Sequence, residues 1–236
     1  MHDNYLRFIS LRLQDYKVFG GLNDLRFNRH RTLIIGDRGT GKTTIVEALE
    51  NLGPPKRDQK TLTLKDQPGS SLAIVTEGNR ELIKKYRSLI FINRESDRNL
   101  AMYGQEPELE GMVPNSARKT VASKTRSIFK RILYHKPGKI DSHRDLNPQI
   151  MAAGERICFG YALVFAVREV LKLDIPVIFD SPYGRLDKEL RKGMRAFLKT
   201  QPCQQILLGH ESEFLKKERP KYILVHAKGY SHVREY

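Results

Sequence analysis

Eight consecutive residues combine glycines, a lysine and a hydroxyl group at the spacing that binds phosphate. Residues 36–43 read Gly-Asp-Arg-Gly-Thr-Gly-Lys-Thr and match the pattern G-x-x-x-x-G-K-[ST]. An apolar run precedes them and a helical pattern follows, so backbone N–H groups at a helix N-terminus converge on one anion. In this pattern the lysine, here Lys42, contacts the β- and γ-phosphates, and the hydroxyl of Thr43 binds Mg²⁺. The residues predicted to bind ATP or GTP are Gly36, Asp37, Arg38, Gly39, Thr40, Gly41, Lys42, Thr43 and Thr44.

An acidic residue closes a second apolar run. Residues 175–179 read Ile-Pro-Val-Ile-Phe and end in Asp180. A carboxylate at the C-terminal end of a buried strand, beside a phosphate loop, is placed to hold Mg²⁺. A later strand over 206–208 runs into Gly209 and His210. Upstream, residues 151–156 (Met-Ala-Ala-Gly-Glu-Arg) open an apolar helix.

The elements that position these residues alternate between strands and helices, which favours an α/β fold with parallel strands. Strands are expected at 6–13, 25–35, 61–64, 72–76, 88–92, 176–179, 205–208, 222–226 and 230–236, and helices at 44–49, 116–134, 154–171 and 188–199. The three short strands between 61 and 92 predict an antiparallel layer beside the nucleotide. About a hundred residues without heptads separate the phosphate loop from the helix at 154.

The order of these motifs resembles that of ABC-type ATPase heads, in particular the SMC/RecF group of DNA-maintenance ATPases. Residues 180–187 (Asp-Ser-Pro-Tyr-Gly-Arg-Leu-Asp) and 207–213 look closest to DndD-like heads of DNA phosphorothioation and related phage-defence systems. The resemblance covers roughly 5–50 and 149–236.

The resemblance implies a P-loop NTPase head with a parallel or mixed core sheet, an antiparallel β layer and a helical second lobe. One head domain would span 1–236, with lobe I at about 1–100 and 174–236 and lobe II at about 101–173. Such a head is either compact or one whose coiled-coil arms have been removed.

Site roles also follow from the resemblance. Thr43 and Asp180 would hold Mg²⁺, and His210 would sense the γ-phosphate. Asp187 would lie in the loop that crosses a dimer interface. The signature that caps the γ-phosphate of a second head would be Ala152, Ala153, Gly154 and Glu155. The working unit would be a head-to-tail homodimer with two ATP molecules between the heads.

Three positions depart from the family pattern. Ala152 replaces the signature serine, and Ser181 replaces the glutamate that usually follows the strand-end aspartate, although Asp-Ser/Thr-Pro is typical of the DndD-like branch. Asn93 is the nearest counterpart of the glutamine that senses the metal. Glu211 and Asp187 are substitute candidates for orienting water, because a neutral hydroxyl is no general base near neutral pH. The residues assigned to catalysis are Lys42, Asp180, Ser181, His210 and Glu211. We expect ATP binding with slow hydrolysis.

The chain is strongly basic, with 42 Lys and Arg against 27 Asp and Glu and a formal charge of +15. Such a charge attracts polyanions, and DNA is the expected partner, bound through its phosphates. Candidate DNA contacts on the helix over 116–134 are Arg118, Lys119, Lys124, Arg126, Lys130 and Arg131. A second basic stripe is Lys188, Arg191, Lys192 and Arg195. Solvated helix faces with no partner are the alternative.

Two other functions fit the motifs. One is a nucleotide-switched module that hydrolyses ATP negligibly and recruits a nuclease or modification enzyme, which Ala152 and Ser181 favour. The other is a P-loop kinase for a small molecule, although no arginine-rich lid is evident. Cys158 and Cys203 suggest no disulfide, and neither a secretory signal nor an apolar run of membrane-spanning length is visible. The expected location is the cytoplasm, with no membrane partner.

Overall fold

Two β-sheets and a group of helices make up the computed structural model, which describes residues 4–50, 69–92, 112–133 and 151–236 and the backbone of Thr61–Leu62. The strands are β1 (Leu6–Gln14), β2 (Leu22–Arg26), β3 (Arg31–Gly36), β4 (Thr61–Leu62), β5 (Ser71–Gly78), β6 (Phe91–Ile92), β7 (Val177–Asp180), β8 (Gln205–Gly209), β9 (Tyr222–Ala227) and β10 (Tyr230–Glu235). The helices are α1 (Lys42–Glu50), α2 (Glu81–Lys85), α3 (Arg87–Ile90), α4 (Arg118–Leu133), α5 (Ala153–Val170) and α6 (Lys188–Lys199), with 3₁₀ turns at Asn115–Ala117 and Glu211–Glu213.

The chain divides into two units. The first contains both sheets and comprises Met1–Ile92, Asp174–Gly184 and Cys203–Tyr236. The second comprises Asn93–Leu173 and Arg185–Pro202. The predicted lobe boundaries placed 185–202 with the sheets, whereas the structure groups this segment, which carries α6, with the other long helices.

The core sheet has six strands in the order β10-β9-β3-β8-β7-β6. Strands β3, β9, β8, β7 and β6 run parallel, and β10 pairs antiparallel with β9. Every residue of β7 and β8 is buried, as expected for parallel strands covered on both faces. The pairs Ile35 with Gly209 and Asp180 with Leu208 align the C-terminal ends of β3, β8 and β7 at one edge.

The second sheet is antiparallel, in the order β2-β1-β5-β4. In β1 the buried side chains are Leu6, Phe8, Leu11 and Leu13, with a register shift between Phe8 and Ser10. The shift explains why apolar residues step by two, then three, then two along one buried face. The predicted antiparallel layer is therefore confirmed, although its strands differ in part.

Two strand predictions were wrong. Residues 25–35 form the end of β2 and all of β3, separated by a turn in which the Asn28 N–H donates to the Thr32 hydroxyl at 2.7 Å. Residues 88–90 lie in α3, and only Phe91–Ile92 is extended. That strand pairs with β7 in the core sheet, not with the antiparallel layer. A short apolar run fits a buried helical turn as well as a strand, so periodicity alone could not separate them.

The long helices of the second unit pack closely. A Cβ on Gly193 of α6 would lie 1.9 Å from the Ile132 carbonyl oxygen of α4, so this contact requires glycine. Phe165 of α5 packs edge-on against Phe197 of α6, with ring centroids 5.0 Å apart. Helix α5 is apolar on nearly all sides, as befits a buried helix. Within the described part of the chain, no helix combines the length and apolar character that crossing a membrane requires.

Candidate nucleotide-binding site

The phosphate loop joins β3 to α1, with Lys42 as the first residue of the helix. The Lys42 ammonium donates to the carbonyl oxygens of Gly36 at 2.7 Å and Asp37 at 2.6 Å. The Thr40 hydroxyl also donates to the Asp37 carbonyl, at 2.8 Å. These bonds hold a largely buried positive charge over the mouth of the loop, where phosphate oxygens can replace the carbonyl partners.

The glycines of the loop are required by its geometry. Gly39 has φ +83° and Gly41 has φ +94°, a backbone region that residues other than glycine rarely adopt. A Cβ on Gly41 would approach the Phe19 ring to 2.7 Å, and one on Gly36 would lie 2.4 Å from the Thr40 hydroxyl. Positive φ and these close contacts require glycine in the loop, and a loop without side chains at these positions lets backbone N–H groups approach a phosphate.

Thr43 and Asp180 meet at the C-terminal edge of the core sheet. The Thr43 hydroxyl donates to Asp180 Oδ2 at 3.0 Å, and Asp180 is 8% exposed. One hydroxyl and one carboxylate are the hard oxygen donors that Mg²⁺ takes together with phosphate oxygens and water. Among the described residues, no group of three or more His, Cys, Asp or Glu could hold a metal ion without such help. The donor set therefore fits Mg²⁺ brought by a nucleotide.

Ser181 follows Asp180 in a left-handed conformation, with φ +66°. Its N–H donates to the Leu208 carbonyl oxygen at 2.7 Å, and its hydroxyl donates to Glu213 Oε1 at 2.5 Å. A non-glycine residue held in this region stores strain, and such residues concentrate at functional sites. The serine is thus fixed by both its backbone and its side chain.

Glu213 is a site residue that none of the sequence motifs identifies. Its carboxylate is buried and also accepts the N–H groups of His210 at 3.0 Å and Tyr183 at 3.2 Å. The available signal was its place three residues after His210, because an acidic residue at the third position of a helical turn often accepts the N–H of the residue before the turn. Its bond to Ser181 had no local signal.

The two other predicted residues after β8 lie on the same turn. His210 is half-buried and precedes the 3₁₀ turn, and the Glu213 N–H donates back to its carbonyl oxygen at 3.0 Å. Glu211 is exposed. The structure therefore brings His210, Ser181 and Asp180 to the sheet edge that also carries the phosphate loop.

The predicted signature opens helix α5 in the second unit. Ala152 is the residue before the helix, and its N–H donates to Glu155 Oε2 at 3.1 Å. Alanine has no side-chain acceptor, so half of the usual cap is missing. Ala152 and Ala153 are exposed, which leaves the first N–H groups of an 18-residue helix accessible.

The same unit brings Asp187 near this helix start. A Cβ on Gly154 would lie 2.9 Å from Leu190 Cδ1 and 3.5 Å from the Arg185 carbonyl oxygen. Asp187 lies between these two residues and caps α6, where Oδ1 accepts the Leu190 N–H at 2.8 Å. Capping alone accounts for an aspartate here, and the interface role remains a prediction.

The six basic residues predicted on α4 are all exposed, but they do not share one face. Lys124 pairs with Glu169, and Arg131 stacks over the Phe197 ring at 5.7 Å. The residues that helical spacing places on one face, at i, i+7 and i+11, are Lys119, Arg126 and Lys130.

On the second predicted stripe, the Arg191 guanidinium donates to the Leu186 carbonyl oxygen. Asn93 lies outside the described residues.

A glycine-rich loop between a parallel strand and a helix, with a hydroxyl–carboxylate pair at the carboxyl edge of the sheet, defines the P-loop NTPase class. Comparison with solved structures confirms the predicted head fold. The SMC head domain from Thermotoga maritima superposes with a TM-score of 0.64 at 16% identity, covering 98% of this chain and 99% of that one. The chain therefore shares the fold of SMC heads.

Two further SMC heads give the same result. One, bound to the C-winged helix domain of ScpA, matches with a TM-score of 0.66 at 14% identity, covering 97% of each chain. The other has an extended coiled coil and is bound to the C-terminal domain of ScpA derived from Pyrococcus furiosus. It matches with a TM-score of 0.62 at 13% identity and covers 98% of this chain and 96% of that one.

Sequence comparison identifies the phosphate-loop region. A family model described as an AAA domain matches residues 10–52, well under half of the chain. A search of curated proteins finds no significant match.

Proposed function

We propose that this chain is an SMC-like ATPase head that binds Mg²⁺·ATP and hydrolyses it slowly. The observation that carries the proposal is the Thr43–Asp180 contact beside the Lys42 loop, in a chain with the SMC-head fold. The AAA domain match over 10–52 includes that loop and supports the same conclusion. We propose a cytoplasmic location for it.

In this proposal each residue near the loop has a defined task. Mg²⁺ held by Thr43 and Asp180 would neutralise the negative charge that develops on the phosphate oxygens. Lys42 and the loop amides would stabilise the γ-phosphate as water attacks in line. His210 would contact the γ-phosphate and report its loss. Glu211, exposed on the same turn, stays a candidate for water orientation.

ATP would also join two copies of the chain head to tail. The exposed N-terminus of α5, from Ala152 to Glu155, would cap the γ-phosphate held by the partner's loop through backbone N–H groups. Each ATP then supplies contacts that exist only in the closed dimer, and its hydrolysis removes them. The missing serine hydroxyl at Ala152 would weaken this closure without abolishing it.

Solution size measured with ATP, with ADP and without nucleotide tests the proposal. Wild type should dimerise with ATP alone, and Lys42→Ala should stay monomeric in all three conditions. Loss of the Lys42 ammonium removes the loop's own positive charge from the phosphates, so this variant separates nucleotide-driven association from ordinary self-association. A wild-type monomer in every condition would contradict the dimer, and a wild type that binds no ATP would contradict the nucleotide site.

We further propose that the head acts with DNA, in a modification, repair or defence system of the DndD-like kind. The charge of +15 and the exposed basic face of α4 support contact with DNA phosphates. Two of the similar SMC heads are bound to parts of ScpA, so a partner protein such as a nuclease or modification enzyme is consistent with this fold. ATPase assays with and without DNA test the idea, since a small-molecule kinase would ignore DNA.

A nucleotide-switched module with negligible hydrolysis is the second candidate, and Ala152 and Ser181 favour it. Its test is a glutamate in place of Ser181. Because Glu213 already lies 2.5 Å from the Ser181 hydroxyl, two carboxylates would repel there, and Ser181→Glu is therefore combined with Glu213→Gln. A large gain in turnover over wild type would show a site built to be slow. Glu213→Gln alone is measured beside it, and no gain over either wild type or that single variant would favour the ATPase, whose water is already oriented in wild type.

A further inference from the structure

A buried carboxylate lies directly behind the residue that replaces the usual glutamate. Glu213 is 4% exposed, and its Oε1 accepts both the Ser181 hydroxyl at 2.5 Å and the His210 N–H at 3.0 Å. Its Oε2 accepts the Tyr183 N–H at 3.2 Å. One side chain therefore connects the loop after β7 to the loop after β8. Both loops begin at the sheet edge that carries the candidate nucleotide site.

Two glycines of the surrounding backbone lie close to this carboxylate and its serine partner. A Cβ on Gly209 would lie 3.1 Å from Glu213 Oε1, and a Cβ on Gly184 would lie 2.9 Å from the Ser181 hydroxyl oxygen and 3.5 Å from Glu213 Oε2. The Tyr183 ring is fully buried and packs edge-on against Phe214, with centroids 5.5 Å apart. Both loops are thus held around the pair.

The direction of the Ser181–Glu213 bond decides what the serine can do. A serine hydroxyl carries one proton and two lone pairs, and an ionised carboxylate can only accept. The proton of Ser181 is therefore committed to Glu213, in a bond as short as charge-assisted O–H···O⁻ bonds are. The oxygen of Ser181 then presents only lone pairs away from Glu213, so it can accept a hydrogen bond from water but cannot donate one.

From this geometry we infer that Glu213 is a positioning residue for ATP hydrolysis. It fixes Ser181 as a hydrogen-bond acceptor for the attacking water, in place of the usual glutamate, and it holds the backbone of His210 in register with that acceptor. The inference rests on the proposed ATPase function. It also explains the strained φ of Ser181, because the carboxylate and the Leu208 carbonyl together hold the residue in that conformation.

The test compares Glu213→Gln, Ser181→Ala and the double variant in full-length chain with Mg²⁺. A glutamine has one acceptor oxygen where the carboxylate has two, so its NH2 group faces either Ser181 and His210 or the Tyr183 N–H. Either orientation disturbs the bonds that fix the serine as an acceptor. Turnover of Glu213→Gln should fall about tenfold to hundredfold, while affinity for a fluorescent ATP analogue stays within about threefold. Ser181→Ala should lose the same factor, and the double variant should lose no more than either single one.

Glu218→Gln is the matched control. Glu218 is also a largely buried carboxylate of the first unit, which accepts the Leu215 N–H at 3.0 Å and pairs with Arg31 at 3.4 Å. It should lower stability without lowering turnover per bound ATP. Unchanged turnover in Glu213→Gln, or fully additive losses in the double variant, would overturn the inference.

Folding of the variants and turnover of the wild type separate failure of this inference from failure of the proposed function. If Glu213→Gln does not fold, Ser181→Ala decides alone, because it removes one oxygen atom from a half-buried position, and normal turnover in it would overturn the inference. If wild type turns over no faster than Lys42→Ala, the proposed ATPase function has failed. If wild type hydrolyses ATP and both Glu213→Gln and Ser181→Ala keep its turnover, only the role of Glu213 is contradicted.

Discussion

The Thr43 hydroxyl oxygen lies 3.0 Å from Asp180 Oδ2, although 137 residues separate the two in the chain. Thr43 is in the first turn of α1, after the phosphate loop, and Asp180 is the last residue of β7. Strand β8 lies between β3 and β7 in the sheet, so the contact depends on the parallel order of three strands. This order brings the two proposed Mg²⁺ ligands together from distant segments of the chain.

Removing the charge of Asp180 should abolish the effect of Mg²⁺ on nucleotide binding. Asp180→Asn keeps the shape of the side chain but loses the negative charge that would bind Mg²⁺, so affinity for Mg²⁺·ATP should fall about tenfold to hundredfold. Titration of a fluorescent ATP analogue with Mg²⁺ and with EDTA measures this difference. Asp174→Asn is the control, since Asp174 contacts Arg7 at the start of β1 instead of the loop. An equal Mg²⁺ response in Asp180→Asn and wild type would refute the assignment.

Ser181→Gly should be more stable than Ser181→Ala by about 1 kcal/mol. Both variants lose the bond to Glu213, so they differ mainly in the cost of a Cβ at φ +66°, which is about 1–2 kcal/mol before the greater chain entropy of unfolded glycine is subtracted. Urea denaturation of nucleotide-free protein measures the difference in unfolding free energy. If the alanine variant is as stable as the glycine variant, the left-handed conformation of this residue is not held in solution.

The phosphate loop, the strand-end Asp180 and the helix at 188–199 could be predicted because each is encoded by contiguous residues. Lys42 and Thr43 belong to one eight-residue pattern, and the Asp187 cap immediately precedes a helix with a clear apolar face. Such local signals do not depend on knowing which strands are neighbours. The fold class followed from their order along the chain.

The role of Glu213 could not be predicted, because it depends on the neighbour relation of β7 and β8. Ser181 is 32 residues away, and no periodicity shows that a hydroxyl after one strand meets a carboxylate after the next. The strand assigned to 88–92 failed for a different reason. Five mostly apolar residues carry no period long enough to distinguish a helical turn from an extended run, and the neighbouring β7 determines that only Phe91–Ile92 is extended.

Restoring the signature hydroxyl should have two separable effects. In Ala152→Ser the new side chain can accept an N–H at the start of α5, which should raise stability by about 0.5–2 kcal/mol without nucleotide. If the signature faces a partner's γ-phosphate, the same hydroxyl should also strengthen ATP-dependent dimerisation by about tenfold. Thermal denaturation and sedimentation at graded protein concentration measure the two effects separately.

Ala196→Ser, at an exposed position within α6, is the control for Ala152→Ser. It should lower stability by about 0.5 kcal/mol, because serine has the lower helix propensity, and should leave dimerisation unchanged. A gain in stability alone, with no change in the dimer that ATP induces, would mean that the start of α5 is an ordinary helix terminus. The signature assignment would then fail while the nucleotide site stood.

The exposed face of α4 predicts a defined salt dependence of DNA binding. Lys119, Arg126 and Lys130 project from one side of the helix, and each phosphate contact contributes about 0.9 to the slope of log affinity against log salt. Replacing all three with glutamine should reduce the slope by nearly 3 and weaken binding to duplexes of any sequence alike. Fluorescence anisotropy with one duplex across a salt series measures the slope.

Net charge is separated from position by a control that removes the same three charges elsewhere. Lys216, Lys217 and Arg219 are exposed beyond the turn that carries Glu213, and their triple glutamine variant has the composition change of the α4 variant, two lysines and one arginine. If α4 contacts DNA, this control should keep most of the wild-type slope, since general attraction by net charge is weak and screened beyond about 10 Å at 0.1 M salt. Equal losses in both variants would show that DNA responds to total charge, and that no face of α4 contacts it.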